Sequence, residues 1–234
     1  MGGNIESLDR ATVESLLDWW RLSGVDVAVD DQPRAWLRSA SPLPSPKTVP
    51  PAATASPENL AQFRDWLSSA HDLPMNRPGA VRIAPRGDES APVMVIGDLP
   101  DRDDAAAGKP FGGEAAELME RMLKAIGLDS STAYQASLSC FHAPGARIGR
   151  DELDRCGSIA RDHVRLAKPE RLILFGDAPA RALIGESLAR ARGRIHKVEG
   201  VRTIATFHPR WLLHRPSDKA LAWKDLQLLM SEGE

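Results

Sequence analysis

Two cysteines in 234 residues cannot frame a disulfide scaffold. A chain of this length does not need one, because a single core buries roughly 70% of the unfolded surface. A reducing compartment is therefore expected, and with it a cytoplasmic location. No apolar run approaches the roughly 20 residues of a spanning helix. The start lacks the charged-then-apolar order of a secretory leader. Membrane and secreted classes are not expected. Neither G-x-G-x-x-G nor G-x-x-x-x-G-K-[ST] occurs. The Gly-rich stretch Gly108-Lys109-Pro110-Phe111-Gly112-Gly113 carries an aromatic where a phosphate loop presents backbone N–H groups. The G-x-S-x-G elbow and the metal-protease helix are missing too. No internal repeat is visible.

The formal net charge of −2 conceals an asymmetry. Residues 1–136 hold 13 basic against 20 acidic side chains, and residues 137–234 hold 17 against 12. A basic half permits a polyanionic partner, although arginines on helices are commonly a solvated face. Three segments follow from composition. Residues 1–38 contain a helical pattern over Ala11–Leu22, with Leu16, Leu17, Trp19 and Trp20 at helical spacing and Gly24 as its stop. Residues 39–57 are rich in Pro, Ser and Ala and read as a linker. Residues 58–234 form the main domain, opening on a short helix that carries Leu60, Phe63, Trp66 and Leu67.

From residue 92 onward, strand and helix patterns alternate. Val93–Ile96, Tyr134–Leu138, Arg171–Phe175 and Val201–Phe207 read as strands. Ala115–Ile126, Asp151–Ala167, Ala178–Ile184 and Lys219–Met230 read as helices. Such alternation implies a parallel sheet covered on both faces. The expected fold is a three-layer α/β/α sandwich around about four strands. Ligands of such sheets bind beyond the carboxyl ends of the strands. That rule gathers Asp98, Ser137, Asp177 and His208. Each also has a plainer reading. Asp98 could cap a turn, Asp177 could be the N-cap of the following helix, and His208 before Pro209 could be a turn histidine.

The string from Gly97 to Leu128, GDLPDRDDAAAGKPFGGEAAELMERMLKAIGL, resembles the first motif region of the uracil-DNA glycosylase superfamily, and most closely its family-4 type. Other stretches agree in order. Cys140 with Ala143-Pro144-Gly145-Ala146-Arg147 is similar to C-x-P-P-x-x-R, and Pro169–Gly176 to P-x-x-I-x-x-L-G. Phe207-His208-Pro209-Arg210-Trp211-Leu212-Leu213 is similar to the second motif, H-P-x-x-L-L. The resemblance covers residues 92–230 or so. It implies an enzyme that flips a deaminated base from DNA into a pocket and hydrolyses its N-glycosidic bond, with DNA as partner and the protein a monomer. Asp98 and His208 match the family's catalytic positions, and Phe111 the aromatic that stacks on the base. Gly97, Leu99 and Ser137 would help bind that base. Arg147 would contact DNA, while Arg210, Trp211 and Leu212 would lie on a loop that wedges into the minor groove. Phe111 and Leu212 could instead be core residues.

Three departures qualify the resemblance. Family 4 binds a 4Fe–4S cluster through four cysteines. This chain retains only Cys140 and Cys156 at matching spacing, so no cluster is expected and the two are read as relic positions. The Asn that reads the Watson–Crick edge of uracil falls on Ala136 in an ungapped alignment, or on Ser137 with a one-residue slip. Neither side chain can donate and accept as a carboxamide does, Ser137 could do half of it, and Gln135 could do it only if the strand register differs, since neighbours point to opposite faces. Uracil selectivity could be weakened, altered or lost. A catalytically impaired DNA- or partner-binding protein on the same fold is the alternative. Finally, Arg194-Ile195-His196 repeats a tripeptide of a relative that traps uracil covalently, but at a different place in the chain.

Overall fold

The computed structural model describes residues 9–24, 57–129 and 132–231. The chain separates into two compact units, residues 1–54 and 55–234. In the first, helix α1 (Arg10–Leu22) opens on Asp9, whose side chain accepts from the Thr12 amide. The expected linker over 39–57 lies outside the described residues apart from Pro57.

The second unit is built on a five-stranded sheet. Its strands are β2 (Val93–Gly97), β3 (Ala133–Ser137), β5 (Arg171–Phe175), β6 (His196–Val198) and β7 (Val201–Thr206), in the order β3-β2-β5-β7-β6. The four strands expected from the sequence are the parallel ones. The fifth, β6, is an antiparallel edge strand paired with β7, and its charged three-residue sequence gave no apolar signal. A separate ribbon pairs β1 (Val81–Arg82) with β4 (Phe141–His142). Strands β2 and β5 are nearly unbroken apolar runs, as a parallel sheet buried on both faces requires.

Alternate residues of β2 feed two cores. Met94 and Ile96 join Tyr134, Ala136, Leu172 and Leu174 beneath α2 (Leu60–Ser69), α5 (Arg150–Ala167) and α6 (Asp177–Leu183). Val93 and Val95 join Ile173, Phe175 and Ile204 beneath α4 (Gly113–Ala125) and α9 (Lys219–Met230). Sequence periodicity placed α5 correctly but missed His163, which is buried on its inner face with Nε2 2.9 Å from the Tyr134 hydroxyl. Three short helices were also missed: α3 (Arg102–Ala107), α7 (Leu188–Ala191) and α8 (Pro209–His214). Among the described residues no helix is long and apolar enough to cross a membrane.

Candidate active site

Three parallel strands end in the residues of interest. Asp98 follows β2, Gly176 follows β5, and His208 follows β7 by one residue. Asp98 and His208 line one open cleft of about 480 Å³, together with Gly176, Asp177, Leu188, Ala189, Arg192, Phe207 and Trp211.

His208 is the N-cap of α8, with Pro209 in the first helical position, where the missing N–H costs nothing. Its Nδ1 accepts from the Arg210 amide at 3.1 Å. A backbone N–H can only donate, so the neutral ring carries its proton on Nε2. Burial, helped by the Arg210 charge, pushes the imidazole down to about 3, so it is neutral at physiological pH. Asp98 Oδ1 accepts from the Leu99 amide at 2.8 Å. Burial pushes its carboxyl above the usual range, against the pull of the Leu99 amide and the Arg210 charge. The carboxylate sits over Gly176, where a Cβ would lie 2.5 Å from Oδ2. Asp177 is not the N-cap of α6. Gly176 holds that position, and Asp177 instead accepts from the Leu188 amide and pairs with Arg181.

Phe111 is 2% exposed and has a φ of 56°, a backbone region that a bulky residue rarely adopts. Its ring stacks on His208, with centroids 5.4 Å apart and planes 13° apart, and meets Phe175 edge-on. It also fills the space over Gly97, where a Cβ would lie 2.8 Å from the ring tip. Ser137 pairs in register with Gly97 and so shares that face of the sheet. Ala136 faces the opposite core. Neither Ser137 nor Phe111 lines the cleft of Asp98 and His208, and Ser137 also borders the small cavity beside Cys140 and Cys156. Gln135 lies two residues further back, and its backbone pairs with Arg86.

The second-motif residues differ from a protruding wedge. Arg210 is turned inward, with Nε 2.5 Å from Asp101 Oδ2 and Nη2 3.3 Å from Asp104 Oδ2. Leu212 is 1% exposed and packs with Leu118 and Ala222, the core reading left open above. Trp211 is 45% exposed. Arg147 is exposed in the loop before α5, and Leu99 is half-buried beside Asp98. His196 is tethered, its Nε2 2.7 Å from the Ala191 carbonyl oxygen.

Sequence reasoning did not find the acidic partners of Arg210. Asp104 is 3% exposed. Its Oδ1 accepts from the Gly112 amide at 2.6 Å and its Oδ2 from the Asp101 amide at 2.9 Å. One carboxylate thus joins the turn that bears Phe111, the loop that follows Asp98 and, through Arg210, the helix that begins at His208. Asp225 was missed as well. It is fully buried, accepts from Thr206 Oγ1 at 2.8 Å and pairs with Arg192 at 3.0 Å.

Cys140 and Cys156 border a small cavity of about 30 Å³, closed by Leu73, Pro74, Ile83, Ile159 and Ala160. That is room for about one water. Burial pushes the two thiols up to about 11 and about 12, so both are protonated at neutral pH. The donor set does not fit a four-thiolate cluster. Among the described residues no three His, Cys, Asp or Glu side chains are placed to hold a metal.

A profile of the uracil DNA glycosylase superfamily matches residues 84–227. A type-4 uracil-DNA glycosylase of Archaeoglobus fulgidus is 28% identical over 141 residues, covering 56% of this chain and 71% of the relative. A type-4 uracil-DNA glycosylase of Pyrobaculum aerophilum is 23% identical over 186 residues, covering 75% and 95%. A type-5 uracil-DNA glycosylase of the same organism is 25% identical over 210 residues, covering 79% and 87%.

Proposed function

The chain belongs to the uracil DNA glycosylase superfamily, and from that membership we propose a base-excision repair glycosylase that hydrolyses the N-glycosidic bond of uracil or a related deaminated base in DNA. The observation that carries the assignment is the meeting of Asp98 and a neutral, Nε2-protonated His208 on one cleft.

The reaction separates charge. The C1′–N1 bond breaks and its electron pair leaves with the base as an anion, while the sugar becomes oxocarbenium-like. His208 donates from Nε2 to the base carbonyl where negative charge collects. A preorganised donor of this kind contributes about 3–4 kcal/mol. Because its Nδ1 is held by the Arg210 amide, the ring needs no reorientation as charge develops. Asp98, as a carboxylate, faces the positive sugar and orients the water that adds to C1′, accepting its proton. Phe111 forms the wall against the base, its ring fixed by Phe175 and by the absence of a side chain at Gly97. Ser137 supplies a hydroxyl on the same face, which can donate one bond or accept another but cannot do both as a carboxamide does. Uracil selectivity is therefore weakened, altered or lost relative to a site that carries the carboxamide, and hypoxanthine and xanthine are the related deaminated bases to test beside uracil.

The test uses labelled oligonucleotides carrying uracil, hypoxanthine or xanthine, incubated with equimolar and excess protein and then cut with alkali at abasic sites. Cleavage that disappears in both Asp98→Ala and His208→Ala supports the assignment. Salt-sensitive binding without base release would favour the impaired DNA-binding reading, to which the missing carboxamide lends its weight.

A further inference from the structure

An enzyme that extracts a base from a duplex needs a filler for the vacated stack, because unpairing and unstacking oppose extrusion. Helix α8 stands where such a filler would be, at the rim of the cleft. None of its residues 210–213 can serve. Arg210 is paired to Asp101 and Asp104. Leu212 is buried, and Leu213 packs against the same small core. Trp211 lies flat: its Nε1 donates to Asp218 Oδ2 at 2.8 Å, and its ring runs within 10° of parallel to Phe207.

Trp211 instead belongs to a ladder. The guanidinium of Arg192 lies 4.8 Å from the Phe207 ring centroid. Phe207 is followed by Trp211 at 6.5 Å. The guanidinium of Arg215 lies 5.2 Å from the Trp211 centroid. Arg192, Phe207 and Trp211 all line the cleft that holds Asp98 and His208, and Arg215, the outermost rung, is exposed. Two near-parallel aromatic rings flanked on either side by a planar cation, set along a groove, make a surface on which unpaired bases stack without sequence preference.

We propose that the substrate is single-stranded DNA, and that a nucleobase next to the target stacks on the outer rungs, Trp211 and Arg215, of this ladder. The inference rests on the glycosylase reading for its location and adds the strandedness of the substrate. It requires no extrusion work from the protein, consistent with a rim that has no free wedge.

Two measurements decide it, both on the full chain at one fixed ionic strength. The first is the single-turnover rate on one uracil sequence presented as single strand, as a fully paired duplex and as a duplex with the uracil in an unpaired bubble. Single strand and bubble should react at similar rates, at least about tenfold faster than the duplex. The second is the affinity for uracil-free single-stranded and duplex oligonucleotides, read by anisotropy of a labelled strand. Trp211→Ala should weaken single-strand binding by about 5- to 10-fold or more, and Trp211→Phe should restore most of it. Equal or faster reaction of the duplex, with Trp211→Ala impairing the duplex selectively, would restore a wedge and overturn the proposal. Because binding is read without turnover, a protein that releases no base would defeat the glycosylase reading alone, and its strand preference would still decide this one.

Discussion

His208 and His163 are both buried and both pushed down to about 3, chiefly by loss of hydration. Each has an ordinary value near 6.5 when unfolded, so between about pH 6.5 and pH 3 the unfolded chain takes up protons that the folded chain refuses. Stability must fall with falling pH across that window, by up to about 1.4 kcal/mol per pH unit for each histidine. Asp98, Asp104 and Asp225 act in the opposite sense. Burial raises their carboxyls, so they favour the fold below the ordinary carboxylate range and lose that contribution as pH rises through their raised values. From pH 7 down to pH 5 the two histidines lower the urea midpoint while the raised aspartates offset part of that fall, so His163→Gln should make any decline shallower while leaving His208 in place. An unchanged slope would show that His163 titrates normally. At the site itself, Gly176→Ala places a Cβ 2.5 Å from Asp98 Oδ2 at a φ of 112°. The carboxylate must then move, and single-turnover base release should fall toward the level of Asp98→Ala. Gly24→Ala, with open space around the same Cβ position, should leave that rate unchanged.

At the scale of elements, the Arg210 clasp joins α8 to the loop after β2. The guanidinium is the cation nearest both reacting groups in effect: it helps hold Asp98 ionised and His208 neutral. Arg210→Ala should therefore shift the acid limb of the pH–rate profile upward, because Asp98 loses a favourable charge and protonates at higher pH. Arg210→Lys should leave the limb closer to wild type, which a merely structural role would not require. None of this was legible in the sequence, because Arg210 and its partners lie more than a hundred positions apart. The places of Asp98 after a strand, Phe111 just before a helix cap and His208 after a strand were legible within motifs of fixed order. Helix α8 was read as a loop although Pro209 behind a capping residue is a helix-start signal. Leu212 turns inward because the helix places it against Leu118 and Ala222. Strand β6 went unseen because an edge strand of three residues needs only one apolar position, Val198, against the core.

At the scale of the molecule, the four parallel strands followed directly from alternating patterns, and composition set an N-terminal segment apart from a main domain over residues 58–234. Among the described residues, the core clusters that support the cleft draw on residues from Leu60 onward, and the family match begins at residue 84. The polypeptide before residue 55 forms its own unit. Within that unit α1 carries Trp19 and Trp20 at 62% and 41% exposure, so its apolar side chains contribute little to any core of its own. A chain beginning at residue 55 should consequently fold with an unchanged urea midpoint and release base from a short oligonucleotide at the rate of the full chain. Beginning instead at residue 70 removes Leu60, Phe63 and Leu67 from beneath the sheet. Truncating one such side chain to alanine costs about 2–5 kcal/mol, and losing three together, about 6–15 kcal/mol, is as large as the roughly 5–15 kcal/mol that typically separates folded from unfolded domains. That shorter chain should not fold. A loss of base release on removing only residues 1–54, with the urea midpoint intact, would instead assign the first unit a direct part in engaging DNA.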